Sequence, residues 1–565
     1  MAQNIGEYNY ETKYPCYQNT KSRHFTKLMY LIIIERNSSD GHQKIINHLK
    51  NKKNRQKINN KNKKGWTALM IACRNSNIWS SNETVKLLLK MGADVNLQNN
   101  KGWTALIIAS ENSNTDSNIE TVKLLLEAGA NINIQEEYGW TALMIASENS
   151  NTNSNIETVK LLIEVGADIN LQNSAGSTAL MLASRYSNTV SNIETVKLLI
   201  EAGVDLNIQK KDGWTALMLA SRYSNTDSNI ETVKLLIEAG VDLNIQKKDG
   251  WTALMLASRY SNTDSNIETV KLLIEAGVDL NIQKKDGSTA LMIASRYSNI
   301  DSNIETVKLL LEAGVNVNLQ DEEGWTALMH AFRYSNTDSN IETVKLLLEA
   351  GSDINIKNNN GWTTLMLTSN FSDEKSNIET IKLLLKYGAD LNLQNNDGWT
   401  ALMLASKYYN NIEILKLLLD YNSDPNIKCI EGFSVLKYVS EKPNYKGTMD
   451  ILLLLLNYGA INYYEIKTSH FNEKQLKIYY KLLAQKNYYR MTMDYIYKTI
   501  KSHTNKILYN PNSIKSQLLF LKLVLENNSV EKCITFKNLE LFDYLGISDL
   551  DSLKIKLYDA LKYID

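Results

Sequence analysis

A step of 37 residues governs most of this chain. The motif G-[WS]-T-[AT]-L begins at Gly65 and returns at Gly102, Gly139, Gly176, Gly213, Gly250, Gly287, Gly324, Gly361 and Gly398, always at that interval. Residues 213–249 and 250–286 are identical at every position, the mark of recent tandem duplication. A weaker copy starts at Gly432 (GFSVL), and Thr26-Lys27-Leu28-Met29 matches the T-A-L-M step ahead of the array. A period of this length means that each copy is one supersecondary unit with too little core of its own. Neighbours must stack, and the core then runs along the whole array. The chain carries roughly twelve such units, with the end ones atypical, as caps must be.

The unit at Gly250 predicts two antiparallel helices and a hairpin. Thr252 caps a first helix through Ala253, Leu254, Met255, Leu256, Ala257 and Ser258, where the small Ala257 and Ser258 let neighbouring helices approach closely. A polar loop over 260–265 breaks this helix. Ser265 and Glu268 form an S-x-x-E capping box that opens the second. Ile267, Val270, Leu272, Leu273 and Ile274 then follow at helical spacing. Gly277 supplies the left-handed residue that ends the helix, and residues 278–287 turn into the next unit.

Composition narrows the class. Sixty-two basic residues balance 62 acidic ones, so no global field draws the chain to nucleic acid or membrane. Cys16, Cys73, Cys429 and Cys533 are scattered without metal or disulfide spacing, the pattern of a reduced, intracellular protein. Apolar runs such as 31–34 and 451–456 fall far short of the roughly 20 residues that span a bilayer. The first 25 residues are polar and Tyr-rich, with no apolar signal core. A soluble intracellular protein is expected. Asn, Ile, Lys and Tyr are abundant and Pro occurs four times, a bias expected of AT-rich coding DNA.

The step T-A-L-M-x-A, followed by E-T-V-K-L-L-[LI]-E-A-G-[AV]-[DN]-[LIV]-N, resembles the ankyrin repeat, a 33-residue unit of turn plus two helices with T-P-L-H-x-A. The resemblance covers about residues 25–463. Two departures stand out. The family Pro is Ala and the family His is Met, so lost side-chain hydrogen bonds predict a looser turn. The unit is also four residues longer, with the excess in the Ser/Asn/Thr loop between helices; the copy at Gly398 has 34 residues. With the Asn/Ile/Lys-rich composition, the near-identical array resembles the ankyrin-repeat proteins of giant amoebal DNA viruses. The implied fold is all-α with short hairpins, an ankyrin-repeat solenoid of about twelve units plus a C-terminal helical lobe. The expected layout is a polar segment over 1–24, a degenerate capping repeat over 25–64, ten repeats over 65–431, a degenerate repeat over 432–463, and a helical region over 464–565. In that last region helical patterns fall at 474–485, 493–507, 513–526 and 550–564.

The resemblance implies partner binding along the groove made by hairpin tips and first helices. The residue after each repeat Gly is one such position: Trp66, Trp103, Trp140, Trp214, Trp251, Trp325, Trp362 and Trp399, with Ser177, Ser288 and Phe433 in the remaining units. Only Trp79 lies outside this register. These rings serve either as binding hot spots or as packing between hairpins. A second register, on the first helix, holds Arg74, Glu111, Glu148, then Arg185, Arg222, Arg259, Arg296 and Arg333, then Asn370 and Lys407. The tips echo it, with Glu136-Glu137, then Lys210-Lys211, Lys247-Lys248 and Lys284-Lys285, then Asp321-Glu322-Glu323. The expected result is a groove basic in its middle and acidic at its flanks, or else a merely solvated face.

Other features carry less. The stretch 44–64 has nine Lys/Arg and no acid, readable as an exposed, poorly ordered link or as a nuclear-import or nucleic-acid patch. The loop 262–268 lacks the central Gly and most of the carboxylates of a calcium site. None of the six histidines pairs at metal spacing, and no catalytic set, P-loop or GxGxxG is present. No enzyme, cofactor, metal, small-molecule substrate or membrane is indicated, and nucleic acid is disfavoured. The resemblance implies an interaction scaffold for a protein partner, a host protein among the candidates, in the host cytoplasm, with the nucleus left open. The alternative is an adaptor whose C-terminal region recruits an enzyme such as a ubiquitin ligase to a client held by the repeats.

Overall fold

The computed structural model describes residues 25–37, 39–333, 341–370, 375–407, 412–441 and 448–460. The segment 1–24 and the helical patterns expected within 464–565 lie outside them. The described residues form 25 α-helices and no strand, with one isolated antiparallel bridge between Lys428 and Ser434. The chain divides into two compact units, Met1–Asp321 and Glu322–Asp565. The 37-residue step crosses this division unchanged, from Gly287 to Gly324, so periodicity alone does not mark it.

In the first unit the repeat at Gly250 is typical. Its first helix, Ala253–Tyr260, starts where the Met255 N–H donates to Thr252 Oγ1 at 3.2 Å. Ala253 through Ser258 are all buried, because first helices pack on the first helices of both neighbours. The second helix, Ile267–Glu275, buries Thr269, Val270 and Leu273 and ends at Gly277, whose φ of +83° is the left-handed conformation expected there. In two of the repeats the Met in place of the family His takes over a hydrogen bond of the turn. At Thr67 and Thr289 the backbone N–H donates to the sulfur of Met70 and Met292 at 3.4 Å, while the hydroxyl caps the helix from the other side. A polarisable sulfur substitutes for the imidazole as acceptor.

The second helix is capped one residue later than the S-x-x-E pattern suggests. Asn266, not Ser265, accepts from the Glu268 N–H at 3.0 Å. Ser265 is buried instead and donates to the Ser221 carbonyl one repeat back, at 2.7 Å. The lengthened interhelical loop is thereby an ordered joint. Asn262 donates from its backbone N–H to the Asp301 carbonyl (3.0 Å) and from its side chain to the Ile300 carbonyl (3.1 Å). Ser261 Oγ accepts from both the Asn303 N–H and the Thr306 hydroxyl. Equivalent bonds recur at Asn114, Asn151, Asn188 and Asn225. The four extra residues per unit therefore satisfy their polar groups on the neighbouring repeat.

The N-terminal helices, Lys27–Ile33 and Gly41–Lys50, are tied to the first full repeat by a buried carboxylate. Glu35 accepts from the hydroxyls of Ser80, Ser81 and Thr84 at 2.7–2.9 Å, with His42 at 3.2 Å. The basic stretch that follows is folded rather than a loose link. It finishes the helix Gly41–Lys50, forms the short helix Lys52–Arg55, and closes a turn in which Asn62 Oδ1 accepts from the N–H groups of Lys64 and Trp66.

The second unit repeats the helix pairs, from Ala327–Arg333 and Ile341–Glu349 through Ala401–Ala405 and Ile412–Asp420 to Val435–Ser440 and Thr448–Asn457. Leu365, Met366, Leu402, Leu415, Leu436 and Leu452 are buried at the positions the period assigns to the core.

Candidate functional site

The hairpins of the first unit are joined into a ribbon. Within one hairpin the Lys247 N–H donates to the Trp251 carbonyl at 2.9 Å; between hairpins the Lys248 N–H donates to the Asp212 carbonyl at 3.1 Å. Gly250 permits this contact. Its φ is +89°, and a Cβ there would lie 2.6 Å from Lys284 Cα and Lys285 N. A glutamine row locks the same edge, Gln209 Nε2 donating to the Gln246 carbonyl and Gln246 Nε2 to that of Gln283.

Each hairpin tip needs an acceptor for its own N–H groups. Asn99 and Asn173 supply it with Oδ1, and Glu136 with Oε1. At 247 and 284 this position is lysine, which cannot accept. Lys247 instead lies between two indoles, 5.5 Å from the Trp214 ring and 6.0 Å from that of Trp251, and pairs with Asp249. Lys284 sits 5.6 Å from the Trp251 ring and pairs with Asp286. The second lysines, Lys211, Lys248 and Lys285, use only their backbone N–H in the ribbon, and their side chains are exposed without an ion pair among the described residues. Trp103, Trp140, Trp214 and Trp251 are all half-buried.

The arginine row is differently placed. The guanidinium groups of Arg185, Arg222 and Arg259 are each wedged between the tyrosine that follows and the tyrosine of the next repeat. Arg222 Cζ is 5.1 Å from the Tyr223 ring and 3.4 Å from Tyr260, and Arg259 is 5.6 Å from Tyr260 and 3.1 Å from Tyr297. Arg185 is 4.9 Å from both Tyr186 and Tyr223, and Arg296 is 5.0 Å from Tyr297. Arg222 also pairs with Asp264 (3.1 Å) and Arg259 with Asp301 (2.9 Å), leaving these arginines only 18 and 19% exposed. The tyrosine and aspartate partners were missed by sequence reasoning. Their signal is present in the R-Y-x-x-x-D spacing, but it points to contact only once the next repeat is laid alongside. Upstream in the same register, burial pushes the carboxyls of Glu111 and Glu148 above the usual range, with Arg74 and Arg185 respectively offsetting part of the shift.

In the second unit one tryptophan of the register is buried, while Trp362 and Trp399 stay half-buried. Trp325 is 8% exposed in a cluster with Met329, Phe332 and Leu367, and Arg333 lies 5.0 Å from its ring. Trp362 packs partly against this cluster, and Trp399 meets Tyr438 edge-on at 4.8 Å.

A family model described as ankyrin repeats (3 copies) matches in overlapping segments, 34–136, 116–209, 189–265, 261–358 and 336–429, well over half of the chain. The chain belongs to the ankyrin-repeat family. Ankyrin repeats are protein-interaction modules, typically without enzymatic activity. The array is similar to ankyrin repeat proteins of Acanthamoeba polyphaga mimivirus. One is 57% identical over 96 residues, covering 16% of this chain and 15% of that protein. A second is 53% identical over 89 residues (16% and 10%), and a third 54% identical over 92 residues (16% and 16%). The matched stretch thus spans under a fifth of each relative. No described helix of the ankyrin array is long and apolar enough to cross a membrane.

Proposed function

We propose that this ankyrin array is a scaffold that holds a protein segment along the hairpin edge of its first unit, against Trp103, Trp140, Trp214 and Trp251 and the lysines Lys211, Lys248 and Lys285. The observation that carries the reading is the row of half-buried indoles, with ammonium groups against those of Trp214 and Trp251, combining apolar area with charge at low entropic cost. The arginines of the row contribute the positive field behind this edge. Trp362, Trp399 and Arg333 would offer a lesser contact in the second unit, where Trp325 is committed to packing.

The double change Trp214→Ser and Trp251→Ser is the direct test, because Ser177 and Ser288 hold the same register in this array. Partners captured from an amoebal lysate should be lost at least tenfold, with the melting curve shifted little. Undiminished capture by a folded variant would remove the edge from the binding surface. We also propose that residues 464–565, aperiodic and Tyr-rich, recruit a second protein, since a cap needs only one unit with a polar outer face. Truncation after 463 should then retain the client and lose a separate set of partners; an unchanged set would reduce the region to a cap.

A further inference from the structure

The free lysines are arranged on a ruler. Backbone hydrogen bonds alternate within and between hairpins, Lys247 to Trp251 inside one and Lys248 to Asp212 across to the previous one; the same cross-hairpin bond joins Lys285 to Asp249 and Lys211 to Ala175. Each repeat thus advances the ribbon by two strand spacings, about 9.5 Å at 4.7–4.9 Å each. Lys211, Lys248 and Lys285 hold the same position in three successive tips, so their charges recur at that pitch. Lys247 and Lys284 are engaged with indoles and with Asp249 and Asp286, which leaves one free ammonium at each of those two tips, Lys248 and Lys285, in line with the exposed Lys211 of the tip before. The row has an end: two tips before Lys211, the hairpin carries the exposed Glu137.

Few polypeptide conformations match such a pitch. A polyproline II helix has three residues per turn and rises 3.1 Å per residue, so one face repeats every 9.3 Å or so. The mismatch with the lysine row is about 0.1–0.5 Å per repeat. In a β-strand, same-face residues are about 6.6 Å apart, and the residue three along faces away. An α-helix offers positions seven apart at about 10.5 Å, drifting roughly 1 Å per repeat. Half-exposed indoles in the same turns, Trp214 and Trp251, are surfaces on which proline rings pack well.

We infer that Lys211, Lys248 and Lys285 bind an acidic segment in the polyproline II conformation, with a carboxylate at every third residue and proline between, one ion pair per repeat. This rests on the hairpin edge being the contact surface. Single exposed ion pairs are weak, so the row selects by register more than by strength, and affinity should fall as salt rises.

The test uses the full-length chain and fluorescence anisotropy at low salt with three labelled twelve-residue peptides: a Glu-Pro-Pro repeat, a shuffle of the same composition with its glutamates clustered, and a Lys-Pro-Pro repeat. The regular acidic peptide should bind at least tenfold more tightly than the shuffle, and the basic one should not bind. Lys211→Gln, Lys248→Gln and Lys285→Gln together should reduce the regular peptide to the level of the shuffle. If the triple variant melts early, Lys248→Gln alone is measured and should weaken the regular peptide several-fold. Equal affinity for regular and shuffled peptides would mean plain polyanion attraction and overturn the register; so would undiminished binding by the glutamine variant. The peptides require no natural partner. Their failure alongside a tryptophan-dependent capture would sink the lysine row only, and their success with tryptophan-independent capture would sink the groove reading only.

Discussion

The arginine row and the lysine row carry the same charge in the same repeats, and the structure gives them opposite roles. Arg222 and Arg259 face a tyrosine and an aspartate of the following repeat, at distances that leave little of the guanidinium to solvent. Lys248 and Lys285 meet only backbone from the preceding repeat and keep their ammonium groups free. In a stacked array, what a charged side chain can do is decided by the residue one repeat away. Charge at the end of the first helix works as a joint; charge at the hairpin tip remains available to a partner.

Three substitutions can break or sharpen this contrast. The largest effect is expected at the joint. Arg259→Glu would set a carboxylate against Asp301 and the Tyr297 ring face, and should cost about 2–3 kcal/mol in chemical denaturation. A loss below about 0.5 kcal/mol, the size of an ordinary surface change, would return the arginines to the solvated surface. The same register predicts a smaller effect at Glu111. Its raised pKa means that the folded state holds the proton to higher pH than the unfolded chain, so the native glutamate favours folding at low pH and loses that advantage as pH rises through the folded value. Glu111→Gln should therefore stabilise the protein near pH 7 and gain nothing at acidic pH; a gain independent of pH would mean the carboxyl is not desolvated. Lys248→Glu should do least, shifting stability by under about 0.5 kcal/mol while weakening acidic-peptide binding and flattening its salt dependence. A large destabilisation there would make the lysine row another joint.

Much of this was legible in the chain. The T-A-L-M step located the first helices, and the small Ala257 and Ser258 expected to allow close approach are buried with the rest of the helix. Leu273 and Gly277 behave as their spacing requires. The errors share one cause. Ser265 looked like a cap because S-x-x-E is a local pattern, yet its hydroxyl found a carbonyl 44 residues back and left the cap to Asn266. The Met in the family's His position looked like a missing acceptor, yet at Met70 and Met292 its sulfur accepts. The tryptophan register looked uniform, but Trp325 is buried by Phe332 and Leu367, where Trp251 has Lys247 and Lys284 at its ring.

Sequence by itself determined the repeat, the helix pairs, the core face and the polarity of each tip, because these depend on period and on capping chemistry within a few residues. Only the tertiary structure decided that the long loops are joints, that Arg222 and Arg259 are enclosed, and that Lys247 and Lys284 are engaged while Lys248 and Lys285 are free. Those outcomes depend on contacts roughly one period apart along the chain, and no local pattern of residues encodes which atoms that stacking brings within hydrogen-bonding distance.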